Sequence, residues 1–373
     1  MTKRLSAVLG LLLFVAQGGF AASPAYEAIL RLLNSRAGGS PREYAEAVGQ
    51  VAKDAAEGRP LQQFIIAMVS SEPDAPREAR ISDETRDLYL EQSRDKIRAL
   101  AEKKSNPLAW YLLSLENNDR TMLKKAAEGD NVQALNAWGT IILTEALTNP
   151  GLEQDRMEAE LTKGLECFKK AAAANDANGF YNLGMCYHRG YGVPPNPPKA
   201  LECFRKAAEA NHPEAINNLG GFYRDGEVVE KDLVRAARYF KKSADFLNAY
   251  GQLNYALALQ RGEGVEKDPE AAAELLRDAA DKGNAEAMNA YGMCLFFGDG
   301  VPKDDVAAGV WYRRSAAKGF PPAMDNLATC CDLGVGGEKK DPAKATVWKV
   351  RAQAARGDRN AIAWLSHNGH SLR

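Results

Sequence analysis

Small and apolar residues recur every 36 positions in the second half of the chain. Three columns of residues stay in step over five units, from about residue 163 onward. Within each unit, apolar residues fall three and four positions apart in two segments, which is the spacing of amphipathic helices. Each unit therefore predicts a hairpin of two helices, and the five units predict a stack of hairpins. The columns are Ala172, Ala208, Ala244, Ala280 and Ala316; Gly184, Gly220, Ala256, Gly292 and Ala328; and Gly190, Gly226, Gly262, Gly298 and Gly334.

The unit from Lys267 to Gly300 shows how each hairpin would be delimited. Asp268 suits the N-cap of the first helix and Pro269 its first position, where no backbone N–H is needed. Gly283 suits the left-handed end of that helix. Small residues in the first two columns should let the two helices of a hairpin approach closely, so a large side chain there would overpack them. The matching large component is the aromatic column Phe168, Phe204, Phe240 and Tyr312.

Single units of the chain resemble the Sel-one-like repeat family, which is related to the tetratricopeptide repeat. The resemblance rests on KALECFRKAAEANHPEAINNLGGFYRDGEVV at 199–229, YGMCLFFGDGVPKD at 291–304 and WYRRSAAKG at 311–319. It implies an all-α fold, a right-handed α/α superhelical solenoid of helix-turn-helix repeats. It also implies an adaptor or scaffold for other proteins, and solenoids in general offer extended surfaces to partners.

Weaker copies of the unit extend toward the N-terminus. Ala127 and Gly139 stand 12 positions apart, as do Ala172 and Gly184, and an acidic insertion at 149–160 follows them. The solenoid would then hold roughly nine hairpins, five of them regular. A separate small helical domain is the alternative for the N-terminal third. We expect a signal peptide at 1–21, degenerate helical repeats at 22–160, the regular array with a C-terminal cap unit at 161–366, and a polar tail at 367–373.

The first residues have the pattern of a secretory signal. Lys3 and Arg4 precede an apolar run from Leu5 to Val15, which is shorter than the roughly 20 residues that span a bilayer. Small residues before Ala22 predict cleavage between Ala21 and Ala22. An uncleaved anchor or a buried first helix are the alternatives. We expect a periplasmic or secreted bacterial protein with no membrane span after cleavage.

Charge and cysteine content narrow the chemistry. The formal net charge of −1 argues against a preference for nucleic acid, and no motif calls for a cofactor. Five of the six cysteines fall in two apolar repeat columns, and there is no CxxC pair, which is typical of core thiols. Export would also permit disulfides, and the bridge to expect is Cys167 to Cys186 across one hairpin.

One surface of the predicted array is basic. Two neighbouring positions of the first helix carry Lys or Arg in nearly every unit, so that a stack would form a ridge. Glu166, Glu202 and Glu274 precede the first of these positions by three residues, which suits ion pairing within a helix. The ridge is therefore either a salt-bridged surface or a docking stripe for an acidic protein segment or an anionic envelope polymer. Its members are Lys169, Arg205, Lys241, Arg277 and Arg313, with Lys170, Lys206, Lys242 and Arg314 beside them.

Catalytic motifs are weak in this chain. Some cysteine-rich members of the family that it resembles are associated with penicillin binding or β-lactam hydrolysis, and such chemistry can use a Ser-x-x-Lys nucleophile. Ser315 and Ser93 each stand three residues before a lysine, but no Lys-Thr-Gly or Ser-Asp-Asn element accompanies them. His367 and His370 lie in a segment that we expect to be a frayed tail, so no metal site is expected there.

These observations predict a non-enzymatic, exported scaffold that docks other proteins along its surface. The alternative is an envelope protein that handles a glycan or small molecule, including a β-lactam-hydrolase-like activity, which would need polar groups converging on one pocket. A passive structural role in an envelope assembly is a third possibility and would need no defined docking face.

Overall fold

The computed structural model describes residues 81–371 together with Ala52, Lys53, Gln63 and Ala67. Residues 81–371 form sixteen α-helices and no strand, which confirms the predicted all-α repeat solenoid. The predicted signal peptide and the first predicted repeats lie outside the described residues. Among these sixteen helices, none combines the length and the apolar character that a membrane crossing requires.

The sixteen helices follow one another with short connections. They are α1 (Asp83–Lys104), α2 (Pro107–Asn117), α3 (Arg120–Glu128), α4 (Val132–Thr148), α5 (Gln154–Ala173), α6 (Ala177–Arg189), α7 (Pro197–Glu209), α8 (Pro213–Asp225), α9 (Leu233–Asp245), α10 (Ala249–Arg261), α11 (Pro269–Asp281), α12 (Ala285–Phe297), α13 (Asp305–Ala317), α14 (Pro321–Leu333), α15 (Pro342–Ala355) and α16 (Arg359–His367).

The chain divides into two compact units, Met1–His212 and Pro213–Arg373, and the division falls inside the predicted regular array. In the first unit, α4 has 17 residues and α5 has 20. We expected residues 149–160 to be an insertion between repeats. Helix α5 begins at Gln154, so much of this acidic segment forms the opening turns of that longer helix.

The second unit is regular, and most of its helices are capped at corresponding places in the repeat. Helices α8 to α14 all have 13 residues. The first helices begin at an aspartate, and α10 and α12 at an asparagine, whose side chain accepts an N–H of the first turn. A glycine with positive φ ends α10, α12 and α14. These caps are Asp232, Asp268 and Asp304; Asn248 and Asn284; and Gly262, Gly298 and Gly334.

The glycine column lies against the following hairpin and not against its own. A Cβ on Gly220 of α8 would lie 2.5 Å from Cε1 of Phe240 on α9. We expected these glycines to serve the approach of two helices within one hairpin, and their partner is instead the aromatic column of the next first helix. The ring needs the space that a side chain would take. The same pairing joins Gly139 to Phe168, Gly184 to Phe204 and Gly292 to Tyr312.

The alanine column lies where the two helices of a hairpin meet, as its small side chains predict. In the α9–α10 hairpin, a Cβ on Gly251 would lie 2.8 Å from the backbone nitrogen of Ala244. Gly179 of α6 is equally close to α5, at 2.6 Å from the backbone nitrogen of Ala172. The buried members of the column are Ala172, Ala208, Ala244, Ala280 and Ala316.

Polar side chains join consecutive hairpins in the second unit. The Ser243 hydroxyl on α9 donates to the carbonyl oxygen of Pro213 on α8, with an oxygen–oxygen distance of 2.8 Å. Amide side chains also link the second helices of neighbouring hairpins, because the repeat places them at corresponding positions. The amide pairs are Asn254 to Asn217 and Asn326 to Asn289, each with an Nδ2–Oδ1 distance of 2.8 Å.

The C-terminal tail folds back on the last helices, where we expected it to fray. Helix α16 ends at His367, and the ring of His370 stacks on Trp364 with 5.9 Å between centroids. Arg351 Nε donates to the carbonyl oxygen of Ser371 over 3.0 Å. The aromatic stack and this hydrogen bond keep the first residues of the tail beside α15 and α16.

Candidate functional site

In the first unit, the lysines of the predicted basic ridge pair with carboxylates of their own surface. Lys169 Nζ lies 2.7 Å from Glu166 Oε1, as predicted, and Lys170 Nζ lies 2.7 Å from Asp130 Oδ1. These hydrogen bonds raise the pKa of both lysines. Exposed pairs of this kind contribute about 0–1 kcal/mol to stability, so they neutralise the surface more than they hold it together.

The next two cations of the first unit differ from each other. Lys206 Nζ lies 3.2 Å from Glu202 and 5.3 Å from the ring centre of Phe180. Glu202 was expected to pair with Arg205, but it reaches the residue four positions on instead. Arg205 is exposed and makes no salt bridge within the described residues.

In the second unit, two ridge cations are also held by carboxylates. Lys241 Nζ lies 3.3 Å from Asp245, and Arg313 Nη1 lies 2.8 Å from Glu338. Glu338 is nearly buried and receives Lys344 Nζ at 2.5 Å as well. Arg313 is therefore tied to the loop that follows α14.

The other three ridge cations of the second unit make no such pairs. Arg314 lies over the ring of Trp311, 4.6 Å from its centroid. Lys242 and Arg277 are exposed and make no salt bridge in the part of the chain that the structure describes. The pairing favours a salt-bridged surface for most of the ridge, and a docking stripe stays a prediction.

Both candidate nucleophilic serines are buried in helix packing. The Ser315 hydroxyl on α13 donates to the carbonyl oxygen of Ala285 over 2.6 Å, which repeats the Ser243 interaction. The Ser93 hydroxyl donates to the carbonyl oxygen of Tyr89 within α1, also over 2.6 Å. Neither side chain is exposed to solvent. A nucleophile has to reach its substrate and a base, and these hydroxyls are committed to backbone carbonyls.

All six cysteines are free thiols, so the bridge proposed between Cys167 and Cys186 is not formed. Cys167 is half-buried on the side of α5 that faces α4, where its Cβ lies 3.1 Å from the position of a Cβ on Gly139. Cys186 is fully buried against Leu165 and Phe168. Burial raises the pKa of the Cys186 thiol to about 12, which suits a side chain that packs as a small hydrophobe.

The described part of the chain holds no cluster of metal-binding side chains, and the cavity beside α8, α9 and α10 is small. No group of three or more metal-binding side chains occurs in residues 81–371. A cavity of about 30 Å³ lies between α8, α9 and α10 beside Arg224, Phe240 and Ala258. The other regular units hold the larger cysteine or phenylalanine in the column of Ala258. The small side chain of Ala258 leaves part of that volume unfilled. The volume admits one or two water molecules, whereas substrate pockets measure about 300–1,000 Å³.

Large apolar side chains lie on a different surface of the second unit. They follow the second helices of the hairpins at positions i, i+4, i+7 and i+11, which share one face of a helix. Neighbouring second helices touch through the amide pairs and through Gln260 Nε2, which lies 3.2 Å from Cys294 Sγ. We call this surface the second-helix face. It consists of Tyr250, Asn254, Leu257 and Arg261 on α10; Glu286, Ala290, Met293 and Phe297 on α12; and Pro322, Asn326, Thr329 and Leu333 on α14.

Four large side chains of the second-helix face are open to solvent. The exposed fractions are 61% for Tyr250, 42% for Met293, 69% for Phe297 and 61% for Leu333. The amide of Asn289 lies 3.7 Å from the Met293 sulfur and supports that side chain. Single exposed apolar residues are ordinary, whereas these four lie on one face of α10, α12 and α14.

Sequence reasoning missed this face, although one repeat column carries a signal for it. The column holds Arg189, Asp225 and Arg261 in successive units and then changes to Phe297 and Leu333. The position tolerates charge in three units, so core packing does not explain the two apolar residues. The change from charged to apolar at this exposed position is confined to the last two of these five units.

The sequence pattern of the Sel1 repeat matches six successive segments, which together cover about half of the chain. The chain belongs to the Sel1 repeat family. The matched segments are 150–176, 181–212, 213–245, 249–284, 285–320 and 321–348.

Three solved structures were found to be similar to this chain. A Sel1 repeat protein from Oxalobacter formigenes is 27% identical over 68% of this chain and 93% of that chain, with a TM-score of 0.51. The protective antigen c5321 of uropathogenic Escherichia coli, which displays an SLR fold, is 23% identical over 90% and 79%, with a TM-score of 0.42. Cysteine rich protein B of Helicobacter pylori is 28% identical over 35% and 93%, with a TM-score of 0.29. No curated protein matches the sequence.

Sel1 repeat proteins are generally non-catalytic scaffolds for protein interactions. The resemblance noted from single units is thus confirmed over the regular array. The family establishes the class of function.

Proposed function

We propose that this Sel1 repeat protein is an exported scaffold that binds a protein partner on the second-helix face. The observation that carries the proposal is the exposure of Met293, Phe297 and Leu333 at corresponding positions of α12 and α14. Aromatic residues and methionine are enriched at the centres of protein interfaces. Docking on several helices at once would spread the affinity over consecutive repeats.

Polar groups on the same face would orient the partner. Asn254 and Asn326 lie between the exposed apolar side chains, and each uses its amide nitrogen to bind the preceding hairpin. Their carbonyl oxygens are acceptors that a partner backbone N–H could reach. The partner that suits this combination of apolar anchors and fixed acceptors is a peptide segment, because a peptide offers both apolar side chains and backbone N–H groups.

A comparison of two matched variants tests the docking face. Met293→Gln/Phe297→Gln/Leu333→Gln removes the apolar anchors from the second-helix face. Val234→Gln/Val306→Gln changes exposed apolar residues on the first helices α9 and α13. Each protein would be used for affinity capture from the native envelope and medium, with quantitative mass spectrometry of the eluates.

We expect the control variant to retain the partners of the unaltered protein and the face variant to lose them. Equal retention by both variants would contradict the assignment of the face. Melting curves would establish that the substitutions, all at exposed positions, leave the fold intact.

Export is the second part of the proposal, and the N-terminal pattern of Lys3, Arg4 and the apolar run to Val15 supports it. Cleavage after Ala21 would remove this segment from the mature protein. Fractionation of the native cells, with intact-mass measurement of the protein, tests it. A mature chain that begins at Ala22 in the periplasm or medium is expected, and a full-length chain in the cytoplasm would refute export.

A further inference from the structure

The arginines of the second-helix face are compensated by neighbouring carboxylates. Arg224, at the edge of this face, lies 2.7 Å from Asp225. Glu263 and Glu286 also act on this guanidinium, and together with the hydrogen bond to Asp225 they raise its pKa. Arg261 lies 3.9 Å from Glu263. Neither arginine therefore leaves a free positive charge for a partner.

Two carboxylates near the apolar side chains make no direct ion pair in the described chain, and Glu286 acts on Arg224 only through its charge at longer range. Glu286 and Asp299 are exposed and make no salt bridge within residues 213–371. Glu286 lies on the same helix face as Met293 and Phe297, at the opposite end of α12. Asp299 follows Phe297 by two residues. Since α12 rises about 1.5 Å per residue, roughly 16 Å separates Glu286 from Phe297 along the axis.

The apolar side chains thus lie between two acidic ends. The backbone N–H of Asp299 donates to the carbonyl oxygen of Cys294 over 3.0 Å, so Asp299 lies at the C-terminal end of α12. The Cys294 thiol is the group that Gln260 of α10 contacts. A ligand lying along α12 would meet a carboxylate, then the Met293 thioether and the Phe297 ring, and then a second carboxylate.

Building on the proposed function, we propose that the partner presents a basic amphipathic segment to this face. Its large apolar side chains would cover Met293, Phe297 and Leu333, and its Lys or Arg side chains would pair with Glu286 and Asp299. Opposite charges at the rim steer association and select against acidic partners. The apolar centre supplies most of the affinity.

Charge-matched peptides test the chemistry directly. The probe is a fluorescein-labelled helical peptide of leucine and lysine with one apolar face. A second peptide has glutamate in place of each lysine, and a third has the leucines and lysines scrambled so that the apolar face is lost. Binding to the mature protein would be followed by fluorescence anisotropy at low and at physiological salt.

Two double variants give the matched comparison. Glu286→Gln/Asp299→Asn removes the acidic ends and keeps the apolar side chains. Glu274→Gln/Asp278→Asn removes two exposed acids from the first helix α11. We expect the lysine peptide to bind about tenfold more tightly than the glutamate peptide. The first variant should weaken it about threefold to tenfold and flatten the salt dependence, whereas the second should not.

Three results would overturn the inference. They are equal binding of the lysine and glutamate peptides, equal binding of the scrambled peptide, and equal effects of the two double variants. Self-association that the Met293→Gln/Phe297→Gln/Leu333→Gln variant abolishes, measured by sedimentation velocity, would also overturn it, because a second copy would then be the occupant.

The captured native partner separates this inference from the proposed function. One outcome is that the apolar face variant loses the partner while Glu286→Gln/Asp299→Asn binds it at full affinity. In that case docking on the second-helix face is supported, and the inference of a basic ligand segment is refuted. If the apolar face variant keeps the partner, the proposed function is refuted as well.

Discussion

The two helices of each hairpin present their surfaces in different ways. On the first helices, most ridge cations are matched within their own surface, as in the Lys169–Glu166 and Arg313–Glu338 pairs. On the second helices of the C-terminal unit, apolar side chains such as Phe297 are exposed, and Glu286 and Asp299 make no salt bridge within the described residues. The charge column recurs in nearly every unit and is a property of the repeat, whereas the exposed apolar residues are confined to a few units and are the basis of the proposed partner site.

The largest expected effect is on binding. Phe297→Ala should weaken the binding of the captured partner at least about tenfold, because truncation of a central aromatic anchor commonly costs that much affinity. The melting temperature should stay unchanged, since the side chain is mostly exposed. Surface plasmon resonance with the purified partner measures the first and calorimetry the second. Full affinity in this variant would contradict the proposal that the partner binds the second-helix face.

Adjacent glycines on α8 should respond in opposite directions, and Gly220 gives the larger effect. A Cβ there would lie 2.5 Å from the Phe240 ring. Gly220→Ala should therefore destabilise the protein by roughly 1–2 kcal/mol, the cost of overpacking less the gain in helix propensity. Urea unfolding measures this, and a gain in stability would show that the ring can move aside freely.

Gly221 occupies the outward side of the same helix, where a Cβ would meet no atom within 4 Å. Gly221→Ala should stabilise the protein by about 0.5–1 kcal/mol through helix propensity and a less flexible unfolded chain. The same urea series provides the comparison. A loss of stability would mean that the outward side of α8 is packed after all.

Glu338 should make stability depend on acid pH, because it holds a ridge cation. Burial alone would raise its pKa, but hydrogen bonds and charge from Lys344 and Arg313 outweigh burial and hold the pKa below the ordinary 4.5. A carboxyl with a depressed pKa stabilises fully above about pH 4.5 and loses that contribution as the pH falls through its folded pKa.

Glu338→Gln should therefore lower stability by about 1 kcal/mol or less at neutral pH, and the gap to the unaltered protein should close below about pH 4. Thermal melts across this range measure the gap. A constant gap would indicate that Glu338 acts through packing and not through its charge.

The smallest effect is expected from reversing the charge of three cations of the basic ridge. Arg205→Glu/Lys241→Glu/Arg277→Glu should leave partner affinity unchanged if these cations only form the solvent-facing surface of the first helices. The partner titration used for Phe297→Ala measures it. A large loss of affinity would instead establish the ridge as a docking stripe for an acidic partner.

Most of the fold was predictable because its signals are local. Asp268 and Pro269 open a helix wherever they stand, and Gly298 ends one, so the repeat boundaries follow from short-range chemistry. The contacts between hairpins were harder to assign. Gly220 packs on a ring 20 positions away, and period alone does not show whether a small residue faces its own hairpin or the next.

The candidate site was largely not predictable, for a related reason. Periodicity emphasises what every unit shares, such as the cations from Lys169 to Arg313, and suppresses what a single unit does differently. Phe297 and Leu333 look like further apolar residues of a helix until their exposure is known. The Ser315 motif fails for the opposite reason, because its spacing is right and its hydroxyl is buried.

The hydrogen bonds between hairpins in the C-terminal unit have a consequence for how the chain folds. Ser243 and Ser315 each reach a carbonyl 30 residues earlier, and Asn254 and Asn326 each reach an amide 37 residues earlier. Contacts this local give low contact order and favour rapid folding. A chain that is synthesised from its N-terminus can pack each hairpin on the one before it. The interface between two consecutive hairpins can therefore form before the C-terminus has been made.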